Sequence, residues 1–161
     1  MHVERSAGGI LWLRYHVEGS LDLLTLPDPA DPVRADGLWK TTCFELFVRS
    51  TNGAVYGEFN FSPSSQWAAY RFDHYREGMS EVALSEVPEI GLDASETHFA
   101  LETDLKLPAP WIDVGLGIAL SAVIEETDGT KSYWALRHPP GKPDFHHPDC
   151  FALTLPAPDL A

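Results

Sequence analysis

Apolar and polar residues alternate most regularly between residues 38 and 79. This spacing of two predicts antiparallel strands with one buried face. Asn52-Gly53 separates two such runs and predicts a two-residue type I′ turn, which pairs Glu45 with Asn60. The predicted core face carries Phe44, Leu46, Val48, Gly57, Phe59 and Phe61. The opposite face presents hydrogen-bonding groups, namely Cys43, Glu45, Arg49, Tyr56, Glu58, Asn60 and Ser62.

The same alternation recurs along the rest of the chain. Further strands are predicted at residues 10–17, 98–107, 114–124 and 150–155, with one short strand within residues 80–95. The proline-rich residues 27–37 form a predicted loop, and no stretch sustains a helical period. We therefore expect an all-β fold and a single domain over residues 1–161, an antiparallel β-sandwich of about eight to ten strands with immunoglobulin-like or jelly-roll-like layers. A closed barrel is the alternative.

A second hairpin brings an indole over small side chains. Taken as a two-residue turn, Asp128-Gly129 pairs Val123 with Trp134 and Ala119 with His138. The strand beneath Trp134 carries only small side chains on that face, Gly117, Ala119 and Ser121. The space that they leave beside the indole suits a sugar ring or another flat ligand. The alternative is that the small residues only accommodate the indole inside the core.

The charge balance excludes some classes of partner. Lys and Arg number 11 and Asp and Glu 24, which gives a formal net charge of -13. Because phosphate recognition needs basic clusters, we expect neither nucleic acid nor an anionic membrane as a partner. The two cysteines, Cys43 and Cys150, are predicted to be buried thiols. The N-terminal residues lack the pattern of an export signal, and we expect a cytoplasmic protein.

Motifs for metals and for catalysis are weak. A zinc site is conceivable at the last histidine-rich loop, and a calcium site at the first aspartate-rich loop, but neither has the spacing of a known signature. The zinc candidates are His138, His146, His147, Asp144 and Asp149, and the calcium candidates are Asp28, Asp31 and Asp36. We predict no resident metal. No nucleophile elbow and no glycine-rich phosphate loop occurs.

Three segments together resemble a known superfamily. They are Trp39-x-x-Thr-Cys-Phe-Glu-Leu-Phe47, Glu58-Phe-Asn-Phe-Ser-Pro-Ser64 and Trp67-Ala-Ala-Tyr-Arg-Phe72. The chain resembles the DOMON-like superfamily, in the branch related to family 9 carbohydrate-binding modules. The resemblance implies a β-sandwich with a ligand pocket on one sheet, in which Glu45, Asn60 and Arg71 supply hydrogen bonds and Trp39 and Trp134 supply ring faces. Haem is not expected, because the only internal methionine, Met79, has no paired histidine in its loop.

These observations predict a protein that binds a small, saccharide-like ligand without catalysing a reaction. The predicted ligand-binding residues are Trp39, Glu45, Asn60, Arg71, Trp134 and His138. One alternative is a hydrolase or isomerase of a sugar derivative, with Glu45 or His138 as the general base. Another is a protein-interaction module that uses exposed aromatic residues.

Overall fold

The structure, a computed structural model, describes residues 1–158 and contains two antiparallel sheets. The small sheet comprises β1 His2–Arg5, β2 Ile10–Glu18, β7 Ile90–Ala94 and β8 His98–Lys106. The large sheet comprises β3 Cys43–Ser50, β4 Tyr56–Phe61, β5 Trp67–Phe72, β6 Ser80–Glu81, β9 Leu116–Glu125, β10 Lys131–Ala135 and β11 Leu153–Leu155. The small sheet has the order β1-β2-β8-β7, and the large sheet has the order β10-β9-β3-β4-β5-β6, with β11 also paired to β9. The predicted all-β sandwich is confirmed.

The described residues contain more strands than the sequence predicted. β1 was not expected, and residues 80–95 contain two short strands, β6 and β7, instead of one. The predicted last strand begins later, at Leu153, because a 3-10 turn occupies Pro148–Cys150. Residues 1–158 contain no helix with the length and apolar character needed to cross a membrane.

The main core lies between the inner faces of the two sheets. β2 and β8 contribute one side, and β3, β4 and β9 contribute the other. The buried side chains of this layer include Leu11, Leu13, Phe99, Leu101, Phe44, Leu46, Phe59 and Ile118. Alternation with period two therefore turns every second residue of β3 and β4 toward the outer face of the large sheet, the face that points away from the small sheet.

The β3–β4 hairpin has the predicted register but a different turn. Glu45 is the cross-strand partner of Asn60, and Leu46 that of Phe59, as the alternation requires. The turn hydrogen bond runs from the Gly53 N–H to the Ser50 carbonyl at 3.0 Å. Neither Asn52 nor Gly53 has a positive φ, so the predicted type I′ geometry is wrong.

The β9–β10 hairpin is displaced by one residue from its predicted register. Glu126 pairs with Thr130 around a three-residue loop, whose last residue, Gly129, has a φ of 85°. Three-residue hairpin loops typically consist of a turn followed by a glycine in the left-handed region. Compared with the predicted two-residue loop, this loop shifts every later β9–β10 pair by one position. Trp134 therefore lies opposite Ala122 on the inner face, and the predicted pairing with Val123 is wrong. Tyr133 takes the position opposite Val123.

A second apolar layer covers the outer face of the large sheet. It forms where residues 143–147, which we name the covering loop, and the 3-10 turn Leu38–Lys40 pack on the strands. Its buried members include Leu38, Cys43, Phe47, Tyr56, Tyr70, Phe72, Val123, Phe145 and Cys150. Both cysteines are buried free thiols, as predicted. The large sheet is thus covered on both faces, and its outer face is not simply a solvated surface.

Replacement of Gly57 by alanine should destabilise the fold. A Cβ atom at Gly57 would lie 2.8 Å from the Trp111 ring and 2.9 Å from the Phe59 ring, so the core would have to shift. Overpacking of this kind costs about 1–3 kcal/mol in the free energy of unfolding, which urea titration measures. Gly91→Ala is the matched control, because its nearest atom would be 3.8 Å away. Equal stability of the two variants would contradict this packing.

Candidate ligand-binding site

A cavity of about 500 Å³ opens on the outer face of the large sheet, beneath the covering loop. Its volume lies within the range of about 300–1,000 Å³ that small-molecule sites occupy. The lining residues come from strands β3, β4, β5, β9 and β10 and from three loops. They are Trp39, Glu45, Glu58, Tyr70, Phe72, Arg76, Met79, Val123, Tyr133, Pro143, Asp144, Phe145 and His146.

Glu45 is the most deeply placed carboxyl group of the cavity. Its strand lies between β4 and β9, so its neighbours on the same face are Asn60 and Ser121. The side chain is 3% exposed, and the Ser121 hydroxyl donates to its Oε2 at 3.2 Å. Burial, followed by the charge of Glu58, raises the pKa of Glu45 to about 8. Glu45 therefore holds a proton at neutral pH.

Glu58 is the second buried carboxyl group, at 6% exposure. Asn60, two residues along the same strand, donates from Nδ2 to Glu58 Oε1 at 2.8 Å. Burial raises the pKa of Glu58, whereas the Asn60 hydrogen bond and the charge of Arg76 lower it. Asn60 itself is fully buried, and its Oδ1 has no hydrogen-bond partner among the described residues.

His146 connects the covering loop to the carboxyl groups. The backbone N–H of Arg76 donates to the Tyr56 hydroxyl at 3.1 Å, and that hydroxyl lies 2.8 Å from His146 Nδ1. Burial, followed by the charge of Arg76, lowers the pKa of His146 to about 4, so the ring is neutral at pH 7. With Tyr56 as the donor to Nδ1, we assign the ring proton to Nε2, which lies 3.6 Å from Glu58 Oε2.

A cation and two aromatic residues lie at the mouth of the cavity. The Arg76 guanidinium donates to Asp144 Oδ1 at 2.7 Å, and the Tyr75 hydroxyl donates to the other carboxylate oxygen of Asp144. Trp39 is 41% exposed and Tyr133 is 46% exposed. Trp39 meets the Tyr70 ring edge to face, with 6.2 Å between centroids. The entrance therefore combines exposed ring faces with a charge-compensated arginine.

The structure brings together three of the six residues that the sequence proposed. Trp39 and Glu45 line the cavity, and Asn60 lies on the same face beside them. Arg71 is the cross-strand partner of Gly57, on the face opposite to Glu45, and pairs with Asp73 at 2.9 Å. The predicted grouping of Arg71 with Glu45 and Asn60 is therefore not formed.

Trp134 and His138 lie elsewhere. Trp134 is 59% exposed and lines a separate cavity of about 420 Å³ on the inner side of the large sheet. β10 ends at Ala135, so His138 does not pair with Ala119. Its ring centroid instead lies 6.2 Å from that of Phe145, with the two rings tilted by 39°. Neither residue takes its predicted position, because the register shift moves Trp134 to the inner face and β10 ends before His138 could pair with Ala119.

Eleven of the thirteen residues that line the cavity were absent from the predicted set, among them Glu58, Arg76, Tyr133 and His146. Glu58 shares the face of Glu45 in the predicted register, so the alternation alone could have identified it. To identify Tyr133, one would have to know that the loop between Glu126 and Thr130 contains three residues, because that length places Tyr133 on the outer face. Arg76 and His146 belong to loops, and no periodicity in the sequence relates them to the sheet.

The histidine-rich loop does not gather metal ligands. No group of three or more His, Cys, Asp or Glu residues within residues 1–158 is arranged to hold a metal ion. His146 bonds to Tyr56, and His147 accepts at Nδ1 from the Asp149 N–H at 3.2 Å. These side chains hold the covering loop in place.

The comparisons with known proteins show a shared fold. No protein-family model matches the sequence, and no curated protein matches it. The structure is similar to a crystal structure of a protein from Bacteroides uniformis ATCC 8492 that is proposed to bind carbohydrate. The TM-score is 0.53 at 15% sequence identity, over 89% of this chain and 71% of the other. At this identity the similarity establishes the sandwich fold.

Replacement of Glu45 by glutamine should change how stability depends on pH. The folded protein keeps a proton on Glu45 up to about pH 8, whereas the unfolded chain releases it near 4.5. Stability from this group is therefore present below pH 4.5 and is lost as pH rises toward 8. Relative to the parent, Glu45→Gln should gain up to about 4 kcal/mol between about pH 5 and pH 8 in urea titrations.

Glu89→Gln, at an exposed position, serves as the matched control and should follow the parent at every pH. If the difference between Glu45→Gln and the parent stayed constant with pH, Glu45 would not be the neutral buried acid described here.

Proposed function

We propose that this protein binds a small saccharide in the outer-face cavity and does not transform it. The observation that supports this most directly is the placement of two buried carboxyl groups, Glu45 and Glu58, in a cavity whose entrance carries exposed aromatic rings. Carboxyl groups bind sugar hydroxyls by hydrogen bonds, and aromatic faces pack against the apolar face of a sugar ring.

The depth of the carboxyl groups favours recognition of a ligand over a purely structural role. A buried carboxyl group without full hydrogen bonding is costly, and such costs concentrate at functional sites. Glu45 accepts one hydrogen bond, from Ser121, and its Oε1 has no partner within residues 1–158. A ligand hydroxyl would supply the missing partner.

The similar fold of the Bacteroides uniformis protein, which is proposed to bind carbohydrate, also supports a sugar ligand. A cavity of about 500 Å³ has room for a mono- or disaccharide.

Trp39→Ala should weaken saccharide binding. Loss of a stacked aromatic ring removes about 0.5–1.5 kcal/mol, which corresponds to a two- to tenfold higher Kd in calorimetric titrations with mono- and disaccharides. Trp134→Ala is the matched control, because it also removes an exposed indole but lies on the other side of the sheet. Equal losses in both variants, or a loss only in Trp134→Ala, would contradict binding in this cavity.

A sugar-transforming enzyme is the second candidate. A neutral Glu45 beside Glu58, whose carboxylate accepts from Asn60, is the combination of acid and base that glycoside hydrolysis uses. His138 does not line the cavity, so Glu45 and Glu58 would be the acid–base pair. Under this hypothesis, chromogenic glycosides would be turned over by the parent, and turnover would fall at least a hundredfold in folded Glu45→Gln. We expect no turnover, and its detection would replace the binding proposal.

A further inference from the structure

Two carboxyl oxygens at the base of the cavity have no hydrogen-bond partner within residues 1–158. Glu45 receives the Ser121 hydroxyl on Oε2, and within residues 1–158 no hydrogen bond reaches its Oε1. Glu58 Oε2 is 3.6 Å from His146 Nε2, beyond hydrogen-bond distance. Asn60 Oδ1 also has no partner, but it is shielded and Asn60 does not line the cavity. A ligand that matches this base must therefore present a donor to the Glu58 carboxylate.

The charges around the cavity are also unbalanced toward the negative. The one lysine or arginine side chain that lines it, within the described residues, is Arg76, and Asp144 already compensates that guanidinium at 2.7 Å. His146 contributes no positive charge at neutral pH. Glu58 therefore remains without a cationic partner, in a chain with a formal net charge of -13. Long-range attraction and the local charge both favour a cation.

The aromatic residues of the entrance fit the same ligand chemistry. Trp39, Tyr70 and Tyr133 line the cavity above the carboxyl groups. The face of an aromatic ring attracts a cation through its quadrupole, most strongly for tryptophan. A ring-shaped ligand that carries an ammonium group would use both the faces and the charge.

We propose that the preferred ligand is an amino sugar, whose protonated amine lies between Glu45 and Glu58 and whose ring packs against Trp39. This inference rests on the proposed saccharide-binding function and specifies its ligand class. An ammonium group can donate one N–H to the open Oε2 of the Glu58 carboxylate and another to the carbonyl oxygen of the protonated Glu45, and its charge compensates that of Glu58. A neutral sugar can offer only hydroxyl dipoles at the same place.

Calorimetric titration with glucosamine, glucose and N-acetylglucosamine at about pH 6.5 tests this proposal. Glucosamine should bind at least tenfold more tightly than the two neutral sugars, because a charge-assisted hydrogen bond is about twice as strong as a neutral one. The preference should shrink as salt is added, since part of it is Coulombic. N-acetylglucosamine keeps the ring but lacks the charge, so it separates the effect of the ammonium group from that of the sugar.

Glu58→Gln should abolish the preference for glucosamine over glucose, because the amide keeps the shape of the side chain and removes its charge. Glu89→Gln, the exposed control, should retain the preference. Circular dichroism establishes that each variant is folded, and Glu58→Met, which also removes the charge, replaces Glu58→Gln if the latter does not fold. Equal affinity for glucosamine and glucose would overturn the amino-sugar inference and leave saccharide binding intact. Failure of all three sugars and of the disaccharides to bind would overturn the proposed function itself.

Discussion

The pairing of β3 with β4 on one side and β9 on the other determines both the core and the candidate site. Each residue of β3 has two cross-strand neighbours, and Glu45 lies between Asn60 and Ser121. Phe44 and Leu46, on either side of it in sequence, point into the layer between the sheets. A slip of one residue would exchange these apolar side chains with Glu45, so the free energy of the core also fixes the position of the carboxyl group.

The covering loop gives this face its electrostatic character. An outward-facing carboxyl group on an open sheet would be hydrated, and its pKa would stay near the ordinary value. Here Phe145 and His146 pack over the strands, and burial is the largest cause of the raised pKa of Glu45. The loop is held by the Arg76–Asp144 ion pair and by the hydrogen bond between Tyr56 and His146. Its docking therefore influences the protonation of the site as well as its shape.

The sequence predicted those parts of the molecule in which strict alternation leaves a single acceptable register. Phe44, Leu46 and Val48 alternate with polar residues, and the β3–β4 pairing followed correctly even though its turn was of another type. The β9 strand is apolar on both faces, so alternation there does not penalise a slip. The position of Trp134 then depended on whether the Asp128-Gly129 loop contains two residues or three, and both loops suit the same dipeptide.

Loop contributions to the site could not be predicted by any periodic pattern. Arg76 and His146 are 70 positions apart in the sequence and meet at Tyr56 only because β4 begins beside both loops. Their contacts depend on long-range packing, which local propensity does not encode. The sequence therefore predicted Glu45 and Asn60 but not the residues that cover them.

Glu45 is also fixed from the inner side of the sheet. The Tyr15 hydroxyl, buried in the small sheet, donates to the Glu45 carbonyl at 2.8 Å and so connects the two layers at the strand that carries the site. With β4 and β9 on either side, the backbone of Glu45 is held in three directions. The base of the cavity is consequently rigid, whereas its entrance is built from loop residues that tolerate substitution. Differences in ligand choice among proteins of this architecture should therefore arise at positions such as Trp39 and Arg76, while the carboxyl group keeps its place.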